Sequence, residues 1–141
     1  MSSLHIFPFE KLRVWQESRV WLRGIYAITK KFPEAEKFGL TSQLNRAAVS
    51  IPTNLAEGSG RISKKDQAHF THIAYSSLME CMNLLILAED QKFLTQEALE
   101  SQRSKIAGLS AQLNALHHAQ IGRSKKVSQP RRIFSSQLIR A

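Results

Sequence analysis

The chain has 141 residues, 20 of them Lys or Arg against 11 Asp or Glu, a net charge of +9, and 43% are hydrophobic. That size suits one globular domain with an appendage, and the longest apolar run, residues 84–88, is far too short to span a membrane. The single cysteine, Cys81, excludes an intrachain disulfide and a cysteine-based zinc site. The N-terminal stretch has no basic region followed by an apolar core, so no secretion signal is read and a cytoplasmic location is expected.

Gly is sparse, and Pro8, Pro33, Pro52 and Pro130 are widely spaced, which favours long helices. A first helix is predicted over residues 9–31. Leu12, Trp15, Leu22, Ile25 and Thr29 form its inward face, and Val14, Trp21 and Ile28 form a second row seven apart. Pro33 ends it, because proline disfavours helical geometry in the residue before it.

A second helix is predicted over residues 38–57, with Leu40, Leu44, Ala47, Ile51 and Leu55 inward. Pro52 lies inside it and deletes the bond to the Ala48 carbonyl, so a kink is expected. Ser50 and Asn54 stand within a turn of that kink and can satisfy loosened backbone groups; Ser50 can also reach the Arg46 carbonyl. Gly58-Ser59-Gly60 then stops the helix with residues that tolerate left-handed geometry. Glu57 reads as a salt-bridge or amide partner that fixes this loop beside Arg61.

Ser63-Lys64-Lys65-Asp66 reads as the start of a third helix reaching residue 91, with Ser63 capping and Asp66 answering back. Its core stripe is read as Phe70, Ile73, Ser77, Cys81, Leu84 and Ala88, which makes Cys81 a buried, inert thiol. Tyr75, Met79, Met82 and Ile86 make a second apolar stripe. It is either an oligomer interface or the other side of a deeply buried central helix. A fourth helix begins after Thr95 and reaches residue 120; Leu99, Ile106 and Leu113 alternate with Gln102, Leu109 and Leu116 in a heptad register. No stretch reads as a strand. The expectation is an all-α protein: an up-down antiparallel four-helix bundle over residues 1–121, followed by a basic tail over 122–141.

That tail carries Arg123, Lys125, Lys126, Arg131, Arg132 and Arg140 with no acid, so +6 of the net charge sits there and about +3 in the bundle. Such asymmetry suits a polyanion, because bound cations release the counterions of nucleic acid; a short solubilising end is the plain alternative. Ile133, Phe134, Leu138 and Ile139 suit a short amphipathic helix on a partner or a disordered end equally. Arg61, Lys64 and Lys65 at the start of the third helix add a local anion site or a plainly capped helix with solvated lysines. Arg46 joins this candidate set as an exposed cation of the second helix.

Catalytic and cofactor chemistry finds little support. A di-iron bundle needs two Glu-x-x-His pairs; the nearest match here is Asp66-x-x-His69 with His72 one turn on, and no such pair precedes His117 or His118. The glycines at 58 and 60 follow a helix rather than a strand, which is the wrong context for a mononucleotide loop. Paired catalytic carboxylates and nucleophile constellations are missing, so no enzyme, no cofactor and no metal site is expected.

The segment from Leu40 to Arg61, LTSQLNRAAVSIPTNLAEGSGR, closely resembles the signature of a bacterial four-helix-bundle family. Those proteins are encoded in intervening sequences of large-subunit rRNA genes and are related to the accessory variability determinant proteins of diversity-generating retroelements. Leu12-Arg-Val-Trp15, Phe32-Pro33 and Ser63-Lys-Lys-Asp66 with Phe70 also match, and the resemblance spans about residues 9–120. Where members often show an arginine pair, this chain has Asn45-Arg46. The resemblance implies a barrel-shaped homopentamer. In the retroelement branch it implies a basic barrel that binds RNA or DNA and docks on a reverse transcriptase. Ser50, Pro52, Asn54, Glu57 and Gly58 form its structural motif. Two functions stay open: a nucleic-acid-binding accessory protein, and a scaffold for an acidic protein partner.

Overall fold

The computed structural model describes residues 3–122, which form four helices and no strand. A 3-10 turn at Pro8–Lys11 precedes α1 (Arg13–Thr29), and another at Glu34–Glu36 precedes α2 (Leu40–Ser59). The helices α3 (Lys64–Asp90) and α4 (Gln96–Ile121) complete an up-down bundle. Side-chain bonds fix its antiparallel order. Ser50 and Ser77 hydroxyls share a 2.8 Å bond between α2 and α3, and Thr71 Oγ1 donates to Gln120 Oε1 of α4 at 2.8 Å. Gln112 Nε2 donates to Glu17 Oε1 at 2.7 Å, which sets the start of α1 beside the end of α4. No described helix is long and apolar enough to cross a membrane.

The four helix starts and stops follow local chemistry. Ser63 Oγ accepts from the Asp66 amide at 3.0 Å, and Thr95 Oγ1 accepts from the Ala98 amide at 3.1 Å; each satisfies one orphan donor of a first turn. The first helix begins four residues later than expected, because Pro8 starts a separate turn whose Glu10 carboxylate accepts from the Phe7 amide at 2.9 Å. The end of α3 has its left-handed residue at Lys92, with φ of 62°. The Phe93 amide donates to the Ala88 carbonyl and the Lys92 amide to that of Glu89, the paired bonds of a Schellman cap.

The core lies along the bundle axis. Leu44, Ile51, Leu78, Leu85, Leu113 and Ile25 are fully buried there, each contributing roughly 1.5–3 kcal/mol through removal from water. The heptad of α4 is as expected, with Leu99, Gln102, Ile106, Leu109 and Leu113 buried. Gln102 is polar at a core position because its Oε1 accepts the indole N–H of buried Trp21 at 2.8 Å. In α1 the buried row is Val14, Ser18, Trp21, Ile25 and Thr29, so the helix is rotated from the expected face and Trp15 and Leu22 sit at its margin. Ser18 makes that rotation possible: it is small, and its hydroxyl donates to the Trp15 carbonyl at 2.9 Å.

The face of α3 is also displaced. Ala68, Thr71, Ala74 and Leu78 are buried, whereas Phe70, Ile73 and Ser77 are half-buried; Cys81, Leu84 and Ala88 are inward as expected. Small residues let α2 and α3 approach closely, and this pair makes the most extensive contact in the bundle. Tyr75, Met82 and Ile86 of the second stripe pack partly against the chain's own core, while Met79 faces outward. Burial, with help from the Glu80 charge, pushes the Cys81 thiol up to about 12, which keeps it protonated.

Candidate nucleic-acid interface

The α2–α3 turn assembles the cationic cluster. The Gly60 amide donates to the Glu57 carbonyl at 3.1 Å and the Arg61 amide to the Gly58 carbonyl at 3.0 Å, which turns the chain sharply. Gln67 Nε2 then donates to the Arg61 carbonyl at 2.9 Å and holds the loop against α3. Both glycines at 58 and 60 are right-handed, because no described glycine has a positive φ; the expected left-handed stop does not occur. Gly58 is needed for another reason. A Cβ there would stand 2.8 Å from the Phe70 Cβ, inside any ordinary contact.

The structural motif of α2 therefore works by packing against α3. Asn54 Nδ2 donates to both the Ser50 carbonyl, at 2.8 Å, and the Ser50 hydroxyl, at 2.9 Å, and that hydroxyl meets Ser77. None of these side chains reaches the Ala48 or Arg46 carbonyl, contrary to expectation, and α2 runs through Pro52 without a break. Glu57 holds the turn with its carbonyl rather than its carboxylate. The guanidinium of Arg61 lies 4.8 Å over the Phe70 ring, and Arg13–Glu17 is the one ion pair among the described residues.

Arg61, Lys64 and Lys65 are thus exposed together at one end of the bundle, without ion-pair partners. Ile62 stands among them at 98% exposure, an apolar tip that sequence patterning did not single out. The end of α4 comes to the same place: Lys64, Leu55, Thr71, Leu116 and Gln120 line one cavity of about 270 Å³. Arg123, Lys125, Lys126, Arg131 and Arg132 lie outside the described residues, yet the chain leaves Gly122 from this end. Arg46 is elsewhere. It lies roughly 20 Å back along α2, in a surface groove with Ser42, Ser50, Ser77 and Glu80.

Charge over residues 57–66 is modest, with Arg61, Lys64 and Lys65 against Glu57 and Asp66. By sequence, residues 123–141 carry six cations and no acid. All five histidines also belong to this half of the molecule. His5 precedes the first turn, His69 and His72 lie in the first turns of α3, and His117 and His118 lie in the last of α4. Among the described residues no three His, Cys, Asp or Glu side chains converge as a metal cage would require.

The fold has a solved counterpart. A protein of unknown function from the S23 ribosomal protein family of Bacteroides thetaiotaomicron aligns with a TM-score of 0.69 and 23% identity, over 74% of this chain and 94% of that one. At that identity the likeness concerns architecture alone. No curated protein matches the chain. The family model described as 23S rRNA-intervening sequence protein matches residues 10–115, from the first turn almost to the end of α4. On that match, the chain belongs to the 23S rRNA-intervening sequence protein family.

Proposed function

We propose that this protein is a non-enzymatic, homo-oligomeric accessory protein that binds RNA or DNA through one end of its bundle. The observation that carries the reading is the convergence of Arg61, Lys64 and Lys65 with the point where the acid-free tail leaves α4. Phosphates would meet the tail cations and the first turn of α3, where the positive end of the helix dipole adds to the lysines. A ring of copies, a pentamer in this reading, repeats that modest surface and raises affinity by multivalency. Met79 and Leu87 supply exposed apolar surface on α3 for the contact between copies. Were the chain of the retroelement branch of its wider family, a reverse transcriptase would be its protein partner.

The test is nucleic-acid affinity as a function of salt for the full chain and for a chain lacking residues 122–141. Loss of six phosphate contacts should make the slope of log K against log salt shallower by about five on duplex, and about four on single strands. An unchanged affinity and slope would remove the tail from the mechanism. Nuclease treatment of the natively purified complex separates this reading from an acidic protein partner, which would stay bound. For the oligomer, Met79→Lys is the informative variant because Met79 is the most exposed member of the second stripe, at 38%. A stable variant of unchanged mass in solution would refute the α3 contact.

A further inference from the structure

We infer that His72 of α3 and His117 of α4 form a two-histidine site for a borderline divalent transition-metal ion of the Zn²⁺ class. Their ring centroids are 6.2 Å apart with an interplanar angle of 52°. A Zn–N bond of about 2.0–2.1 Å sets each ring centroid roughly 3.2 Å from the ion, so two rings on one ion stand roughly 5 Å apart at a tetrahedral angle and roughly 6.3 Å apart when opposed. The observed separation falls within that span, at its wide end. Small torsional changes at the exposed His72 close the remainder.

The two helices hold the rings in register. One residue before His72 and three after His117, Thr71 and Gln120 bond across the same two helices at 2.8 Å, which fixes the spacing that carries the imidazoles. Imidazole suits Zn²⁺, Cu²⁺ and Ni²⁺, and water completes the shell because no third His, Cys, Asp or Glu converges among the described residues. The ion would tie α3 to α4 and add charge beside the tail's point of departure. The site is independent of the nucleic-acid reading.

The probe is Zn²⁺ itself, titrated calorimetrically into the untagged full chain after chelator treatment, with imidazole resonances followed by NMR. The expected result is one ion per chain, joint shifts of His72 and His117, and a higher melting temperature on Zn²⁺ addition. His72→Gln or His117→Gln should weaken binding by about tenfold or more, since losing a ligand costs at least what losing its supporting partner does. His5→Gln should leave it unchanged. His72 is exposed, so a native circular-dichroism spectrum for His72→Gln secures the comparison. No binding in excess Zn²⁺, or an affinity in either ligand variant unchanged from that of the native chain, would overturn the site.

Discussion

Replacing Gly58 by alanine tests whether the approach of α2 to α3 is what this end of the bundle is built on. Gly58 is helical, so propensity alone predicts a gain of about 0.8–1 kcal/mol for Gly58→Ala. The structure predicts the opposite sign. The new Cβ would stand 2.8 Å from the Phe70 Cβ, against an ordinary carbon contact of about 3.5–4.0 Å. Phe70 Cβ is fixed to the α3 backbone and cannot swing away, so the helices must part by roughly 1 Å, an overpacking cost of about 1–3 kcal/mol. Gly108 of α4 and Gly24 of α1 are the controls, because a Cβ at either meets nothing within 4 Å.

Thermal unfolding of the three alanine variants is the assay. For a domain of this size roughly 3–5 °C accompanies each kcal/mol, so Gly108→Ala and Gly24→Ala should gain a few degrees. Gly58→Ala should fall below them by about 3–15 °C on the same conversion. Phe70→Ala keeps the offending Cβ and should leave the penalty in place. If Gly58→Ala rose as far as Gly108→Ala, the close approach would not be the reason for glycine.

Three further outcomes are expected. Gln102→Leu should cost about 1–3 kcal/mol in urea unfolding by leaving the buried Trp21 N–H without its acceptor, and adding Trp21→Phe should recover part of that loss. Lys92→Gly should stabilise by roughly 0.5–1 kcal/mol, read as a melting-temperature rise, because it relieves a left-handed lysine at the end of α3. Partial burial holds the His117 imidazole below its usual range, so the unfolded chain takes up its proton first; stability should decline as pH falls below about 6.5. His117→Gln should flatten part of that decline in melting temperatures measured between pH 7.5 and 5.

The four helices and the Ser63 cap of α3 were legible in the sequence, the helix stops were not, and the inward faces only partly so. The α4 heptad needed no tertiary information because large aliphatics recur at seven-residue spacing. The faces of α1 and α3 were displaced because hydrophobicity weights Trp15 and Phe70 above Ser18, Ala68 and Ala74. Those small residues are buried by close helix approach, which is a property of two elements at once. Gly58 shows the same limit: its sequence context reads as a helix stop, and only the position of Phe70 reveals a spacer. The separation of Arg46 from Arg61 follows from helical rise and was available in principle. The nearness of His72 to His117 depends on the register between α3 and α4, which no local pattern carries.

The most specific segment of the chain, from Ser50 to Gly58, spends its distinctive residues on α3: Ser50 meets Ser77, Asn54 ties back to Ser50, and Gly58 admits Phe70. Those polar groups are spent largely on one another, although Ser50 and Ser77 also border the surface groove that holds Arg46. The motif therefore specifies how the bundle is built, and a family recognised by it shares a scaffold more than a binding site. On the proposed reading, partner choice resides in Arg61 on its Phe70 platform, in the lysines after it and in the cations of the tail. Over residues 57–66 cations exceed acids by one, too small a surplus to discriminate a polyanion in a single copy. Either the tail or repetition around an oligomer has to supply the rest. Comparing the salt slope of the tail-deleted chain with that of a monomeric Met79→Lys variant would apportion binding between the two.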